Sequence, residues 1–393
     1  MKLGDICSKI GSGATPRGGK DSYKDSGMAI IRSQNVFDWS FSSSGLAFID
    51  DDQAEALSSV EVKHGDVLLN ITGDSVARAC IVPSKFLPAR VNQHVAIIRA
   101  NDKANNLFLL AWLQANKGIL LKLASSGATR NALTKRMLEN LDVNLPPIDV
   151  QNKVAAFIDS IQAKITLNTK LNGYLEELAA LEFSRRFGEI ESSIDLGKVL
   201  SISTKTLKPQ NCHGEIWEHY SIPAYDANRR PVFELADGIK SNKYVIDANS
   251  ILISRLNPSI RRIWMPACSS KRAVCSTEFI VYKPKNPVHK AFYYAAIGAP
   301  AFRDFLLAHV TGSTGSRQRA QPKATLTYPI PNPGLEAVED FCAFANPLYE
   351  QIKVNERNSK QLEELRDALL PKLMTGEIDV SKLDLKQLNS HLA

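Results

Sequence analysis

Ile165-Thr-Leu-Asn168 and, ten residues on, Leu175-Glu-Glu-Leu178 return later in the chain as Ile352-Lys-Val-Asn355 and Leu362-Glu-Glu-Leu365. The separations agree, since 352 − 165 and 362 − 175 both give 187. Just beyond, Gly188-Glu-Ile190 recurs as Gly376-Glu-Ile378. Fixed-offset recurrence is the sequence signature of an internal repeat.

Upstream, Gly65-Asp-Val-Leu-Leu-Asn70 resembles Asn249-Ser-Ile-Leu-Ile-Ser254, and Asn92-Gln-His-Val-Ala-Ile-Ile98 resembles Ser276-Thr-Glu-Phe-Ile-Val-Tyr282, both at offset 184. Ser125-Ser-Gly127 answers Ser313-Thr-Gly315, and Leu3-Gly4-Asp5 answers Leu196-Gly197-Lys198. The chain therefore reads as a degenerate duplication in which each half is a mixed globular part followed by one long helix. Short β-rich runs bounded by Gly, Asn, Asp or Pro predict strands at Val67 to Ile71, Val95 to Arg99, Ile251 to Ser254 and Phe279 to Tyr282. Leu107 to Leu123 and Ala291 to His309 are expected to be helices packed on them.

Each long helix is introduced by proline, at Pro146-Pro147 and at Pro331 and Pro333. Apolar residues follow at three-and-four spacing: Val154, Ile158, Ile161, Ile165, Leu171, Leu175 and Leu178 in the first, and Phe341, Phe344, Leu348, Ile352, Leu362, Leu365 and Leu369 in the second. Narrow stripes of this kind pair with another helix, so the two are expected to form a coiled coil of length on the order of 50 Å. Asn168 and Asn355 hold equivalent places in the stripe. Two readings stand: a buried polar pair that fixes register, or two residues at the edge of the seam.

The expected boundaries are globular domain 1–147, helix 148–189, globular domain 190–333, helix 334–379 and tail 380–393. The 393 residues suit two or three compact units, and 44% hydrophobic with 23% charged content suits a globular protein. No apolar run approaches the roughly 20 residues that span a bilayer, and the opening Met1-Lys2-Leu3-Gly4-Asp5 lacks a signal-peptide core, so a cytoplasmic place without membrane is expected. Six scattered cysteines without a CxxC pair indicate neither zinc ribbon nor disulfide framework. Net charge is +7, and its placement is informative. Between Ser75 and Leu138, Asp102 stands against Arg78, Lys85, Arg90, Arg99, Lys103, Lys117, Lys122, Arg130, Lys135 and Arg136; Arg255 to Thr277 and Phe305 to Leu335 carry no acid at all. Such stretches attract polyanions.

The order of these phrases, with Gly13-Ala-Thr-Pro16, Leu145-Pro-Pro-Ile148 and Leu370-Pro-Lys-Leu-Met-Thr-Gly-Glu-Ile378, resembles the specificity subunits of type I restriction-modification enzymes over nearly the whole chain. The resemblance implies an α+β protein with two pseudo-twofold-related target recognition domains separated by an antiparallel coiled coil. It implies that each domain reads one half of a bipartite, asymmetric site on double-stranded DNA, and that the chain is no enzyme. Two methyltransferase subunits would dock on it and two restriction subunits complete the complex. S-adenosylmethionine, ATP and Mg would belong to those partners, with no cofactor in this chain. The second half departs from the pattern in lacking a Gly-Ala-Thr-Pro counterpart and the Asn-Gln-His-Val wording.

Base edges are read by Arg, Lys, Asn or Gln, and phosphates by Ser, Thr, Lys or backbone N–H groups. Polar loops beside strands supply the candidates. In the first half they are Thr15, Arg17, Lys20, Arg32, Ser33, Gln34, Asn35, Asn70, Thr72, Arg78, Asn92, Gln93, His94, Thr129, Arg130 and Asn131. In the second they are Lys205, Lys208, Arg229, Arg230, Arg255, Asn257, Arg261, Arg262, Arg272, Arg317, Gln318 and Arg319. The Gly/Ser-rich loops Ser125 to Asn131 and Ser313 to Arg319 rank first because they recur at one site.

Catalytic signatures fail on inspection. Gly13-Ala-Thr-Pro-Arg-Gly-Gly-Lys-Asp21 misses the phosphate-loop spacing twice, and Asn346-Pro-Leu-Tyr349 lacks the second proline of an amino-methyltransferase motif. Seven histidines show no metal spacing. The competing classes are a drifted DNA methyltransferase or nuclease with fused recognition domains, and a coiled-coil protein scaffold.

Overall fold

The computed structural model describes residues 1–125, 131–312 and 318–379, apart from the side chain of Lys20. It divides into two compact units, one of residues 1–167 with 359–393 and one of residues 168–358.

In the first unit β1 (Cys7–Ser12), β2 (Met28–Ile31), β3 (Ala47–Ile49), β4 (Glu61–Val62), β5 (Val67–Asn70), β6 (Ala79–Ile81), β7 (Ala89–Val91) and β8 (Val95–Ala100) form two four-stranded sheets, ordered β1-β8-β5-β6 and β3-β2-β7-β4. The strand pairing β2–β7 is parallel and the rest antiparallel. Alternation along β5 and β8 explains how the layers stack, since successive side chains leave opposite faces. Val67, Leu69, Ala96 and Ile98 pack into a core with the helices, whereas Leu68, Val95 and Ile97 pack into a second core with the other sheet. Both faces are covered, hence the near-continuous apolar runs.

On the helical side lie α1 (Asn106–Ala115), α2 (Lys117–Ser125) and the start of α3 (Ile148–Phe187). Asn105 caps α1, its Oδ1 accepting from the N–H groups of Leu107 and Phe108 at 2.9 and 3.0 Å. The single helix expected over Leu107 to Leu123 is two helices bent by 63°, broken at Asn116.

The second unit repeats this plan. Its strands are β9 (Leu200–Ser203), β10 (Ile216–Tyr220), β11 (Val232–Leu235), β12 (Lys243–Val245), β13 (Ile251–Ser254), β14 (Ile263–Trp264), β15 (Ala273–Ser276) and β16 (Phe279–Pro284). Sheet orders β9-β16-β13-β14 and β11-β10-β15-β12 match the first unit strand for strand, with Thr206–Leu207 added beside β12. The parallel pair recurs as β10–β15. Ile251, Ile253, Ile280 and Tyr282 face the helical core and Leu252, Phe279 and Val281 the inter-sheet core. The unit also holds α4 (Ile222–Asn228), α5 (Lys290–Gly298), α6 (Pro300–Ala308) and the start of α7 (Leu335–Thr375). The helix expected over Ala291 to His309 breaks at Pro300, whose missing N–H suits the first turn of α6 rather than the interior of a longer helix.

Each unit takes part of α3 and part of α7. In the first, Gln162 accepts from Arg366 Nη1 at 2.8 Å, and Val154, Ile158, Ile161 and Ile165 share a core with Leu370, Leu373 and Met374. In the second, Asn172 meets Ile352 and Asn355 while Phe183 and Phe187 meet Phe341, ring centroids 5.5 and 5.6 Å apart, so the helices run antiparallel there. The seam departs from the expected leucine stripe. Leu171, Leu178 and Leu365 are 39, 47 and 47% exposed; Leu175 packs partly buried as expected, and the buried line passes through Asn168, Ala179 and Phe183 on α3 and through Asn355, Ser359 and Arg366 on α7. These positions continue the three-and-four spacing of the flanking apolar residues, which outranks the identity of any one side chain. Asn168 and Asn355 are buried inside the seam, which removes the edge reading. Asn355 donates to Asn172 Oδ1 at 2.7 Å and accepts from Gln351 at 2.8 Å.

Candidate nucleic-acid interface

Where β5, β7 and β8 end, four backbone hydrogen bonds lock three loops of the first unit. Asn70 N donates to Arg78 O (2.8 Å), Ile71 N to His94 O (3.0 Å), Gly73 N to Asn131 O (3.2 Å) and Leu133 N to Ile71 O (2.8 Å). The second unit carries the same four at β13, β15 and β16: Ser254 N to Arg262 O (2.9 Å), Arg255 N to Glu278 O (2.9 Å), Asn257 N to Gln318 O (3.0 Å) and Ala320 N to Arg255 O (2.8 Å). Bridges Thr72–Ala132 and Leu256–Arg319 repeat likewise. Gly73 and Asn257, equivalent by offset, both adopt positive φ, 74° and 47°, which Gly and Asn tolerate best.

On this shared frame the side chains differ. In the first unit Asn70 is fully buried, its amide donating to Ser33 O at 2.9 Å and Ser75 Oγ at 3.1 Å, which draws the loop over Arg32, Ser33, Gln34 and Asn35 to the others. Thr72 Oγ1 lies 2.7 Å from His94 Nδ1, and Gln93 Nε2 lies 3.1 Å from His94 Nε2. Asn92 is buried, with its Oδ1 accepting from His94 N. A Cβ on Gly13 would stand 2.0 Å from Val91 O, so glycine there lets the loop bearing Thr15 and Arg17 press against the same edge. Arg78 lies over the Phe37 ring and Arg32 over Tyr23 while donating to Gly45 O. Asn35 is buried and holds Ser42 O and Ser44 O.

In the second unit Arg319 meets Glu278 through Nε at 3.0 and 3.1 Å and Nη2 at 2.8 Å, and the carboxylate raises the guanidinium's pKa above its ordinary value. Arg255 and Asn257 lie on the same loops, with Gln318 opposite. Arg262 is 7% exposed and paired to Asp226 at 2.6 and 2.8 Å, so its guanidinium braces α4 rather than lining the edge. Arg229, at the end of α4 with φ 57°, forks onto Glu176 of α3 at 2.7 and 2.8 Å, and Arg230 follows it. Arg261 donates to Gly298 O, and exposed Arg272 pairs with Glu215 at 3.2 Å. Lys205 and Lys208 are exposed beside the Thr206–Leu207 strand. Thr129, Arg130 and Arg317, with positions 126–130 and 313–317 of the two loops ranked first, lie outside the described residues, as does the side chain of Lys20.

Sequence reasoning missed Glu278, Glu176 and Asp226. The offset of 184 pairs Glu278 with His94 and would have found it; the other two carry no local signal. Among the described residues no group of His, Cys, Asp and Glu is arranged to hold a metal, and no single helix is long and apolar enough to cross a membrane.

The fold and its duplicated loop edge define an α+β protein of two like units. Residues 1–177 match the family described as "Type I restriction modification DNA specificity domain". The likeness to that family is therefore carried by the first part of the chain, into the first long helix. Over 178 residues it is 24% identical to a Methanocaldococcus jannaschii protein assigned as the type I restriction enzyme MjaX specificity subunit, a match covering 43% of this chain and 41% of that one. A Haemophilus influenzae protein assigned as another such subunit is 33% identical over 72 residues, 18% of each chain. These matches span under half of either relative. The crystal structure of a type I restriction-modification system S subunit from M. genitalium shares the fold at TM-score 0.50 and 13% identity, covering 95% of both chains.

Proposed function

We propose that this chain is the sequence-reading subunit of a type I restriction-modification complex, each globular half reading one part of a bipartite site on double-stranded DNA. The observation that carries this is the repeated hydrogen-bond frame at the sheet ends, fitted with Thr72, Gln93 and His94 in one half and Glu278 and Arg319 in the other. One backbone carrying two sets of donors suits two half-sites of unlike sequence. The long helices act as an antiparallel coiled coil that holds the readers apart, near one turn of B-DNA or roughly 34 Å if both address one face. The polar knot of Asn168, Asn172, Gln351 and Asn355 sets their register.

The boundaries that follow are 1–147 and 190–333 for the readers and 148–189 and 334–379 for the helices. Two methyltransferase subunits holding S-adenosylmethionine, and two restriction subunits using ATP and Mg, supply the chemistry. The complex works in the cytoplasm on chromosomal DNA. Contacts come from candidates at the loop edge and beside the added strand that are exposed or half-buried: Thr15, Arg17, Gln34, Thr72, Arg78, Gln93, His94 and Asn131, then Lys205, Lys208, Arg255, Asn257, Gln318 and Arg319. Buried Asn70, Asn92 and Arg262 shape the loops instead.

Methyl transfer to duplex DNA tests the reading. The chain alone with S-adenosylmethionine should give no turnover, and adding its methyltransferase subunits should give transfer confined to one split sequence. Turnover by the chain alone would make it the enzyme; transfer indifferent to sequence in its presence would make it a scaffold.

A further inference from the structure

Arg319 is held twice over. Its backbone bridges Leu256 and leads into the Ala320–Arg255 bond, and its side chain is gripped side-on by Glu278 in the two-residue turn between β15 and β16. That grip uses Nε and one N–H of Nη2. The end-on edge, Nη1 with the second N–H of Nη2, makes no hydrogen bond among the described residues, and the side chain is 41% exposed.

Two consequences follow from the chemistry. A guanidinium fixed by a bidentate carboxylate has its remaining fork aimed before any ligand arrives. The pair is also neutral as a unit, so most of the charge attraction that draws a lone Arg to phosphate is cancelled while two parallel N–H donors remain. A target presenting two adjacent neutral acceptors is then favoured over a phosphate. In the major groove that target is the O6 and N7 edge of guanine.

We propose that Arg319 is a specificity-determining residue that reads a guanine in the half-site taken by the second globular half, with Glu278 as its positioning residue. This rests on the chain being a DNA reader. The first half cannot make the same contact, because the equivalent positions hold Ala132 and His94, and His94 turns to Thr72. The guanine requirement therefore belongs to one half-site.

The test is selection from a randomised duplex DNA pool by the full chain assembled with its methyltransferase subunits, bound sequences being read for wild type, R319K and E278Q. Wild type should enrich a split motif. R319K should lose roughly ten- to a hundredfold of preference at one guanine of one half-site, leaving the other half-site untouched. E278Q should lose preference at that same guanine and, with the positive charge uncovered, bind unselected duplex more tightly at low salt. Three outcomes overturn the proposal: both variants weaken every sequence by one factor, as a phosphate contact would; the relaxed base is not guanine; or both half-sites fade together with a lowered melting temperature, as a purely structural pair would. Failure of wild type to enrich any motif would sink the DNA-reading function itself, a result distinct from all three.

Discussion

In the first unit the turn between β7 and β8 sends His94 to Thr72; in the second the equivalent turn sends Glu278 to Arg319. The backbone bonds around both are the same four, within 0.2 Å of each other pair by pair. Elsewhere the contrast continues. The first unit gathers its loops with a neutral amide, Asn70, where the equivalent Ser254 only donates to Leu256 O at 2.9 Å. The second unit braces itself with Arg262–Asp226 and Arg229–Glu176. Duplication has preserved what fixes the main chain and released what projects from it, as expected if the frame serves folding and the side chains serve recognition.

The largest effect should come from the helix junctions. In the second unit Phe341 packs against Phe183, Phe187 and Phe292, while the first unit uses aliphatic Val154, Ile158 and Leu370. Phe341→Ala should cost about 3–5 kcal/mol in thermal or denaturant unfolding. A cost under about 1 kcal/mol would mean the aromatic cluster does not hold that junction. Next, Asn70→Ala strands the carbonyls it served and should cost about 1–3 kcal/mol, whereas Ser254→Ala should cost about 1 kcal/mol or less. Equal costs would contradict the different ways in which the two loop sets are gathered.

A pH dependence should distinguish the second unit. Burial first, then Glu176, lifts the Glu356 carboxyl from 4.5 to about 7, against the opposing pull of Arg229, Arg230 and Lys353. Because the folded value is raised, the favourable contribution is complete below about 4.5 and is lost as pH rises through about 7. E356Q should therefore gain melting temperature on wild type between those limits and hold a constant lead above them. A lead that does not change with pH would show that Glu356 is not titrating there. The smallest effect belongs to the seam itself: exposed Leu178→Ala should stay within about 0.5 kcal/mol, and Leu175→Ala should cost clearly more. The reverse order would restore the leucine stripe as the helix interface.

How much of this was legible in the sequence depends on range. The repeat, the strand runs and the long helices declare themselves through local pattern, because periodicity and turn residues act over a few positions. Asn168 was legible as a stripe position, but the seam was misread where Leu171 and Leu178 stood in for Ala179: strong hydrophobes mark a face only when spacing agrees. The acid-poor basic stretches misled in another way. Arg90, Arg99 and Lys117 are paired with Glu61, Asp66 and Asp38, and Arg262 with Asp226, acids far away in sequence. Charge counted along a chain overstates the field that survives folding, and what remains is smaller and better aimed.

The most direct measurement is the host methylome with and without this chain. Two unlike readers on one polypeptide predict that removing it abolishes methylation at one asymmetric motif made of two short half-sites separated by a fixed number of unread bases. A motif that persists without the chain, or one that is continuous or symmetric, would contradict the account.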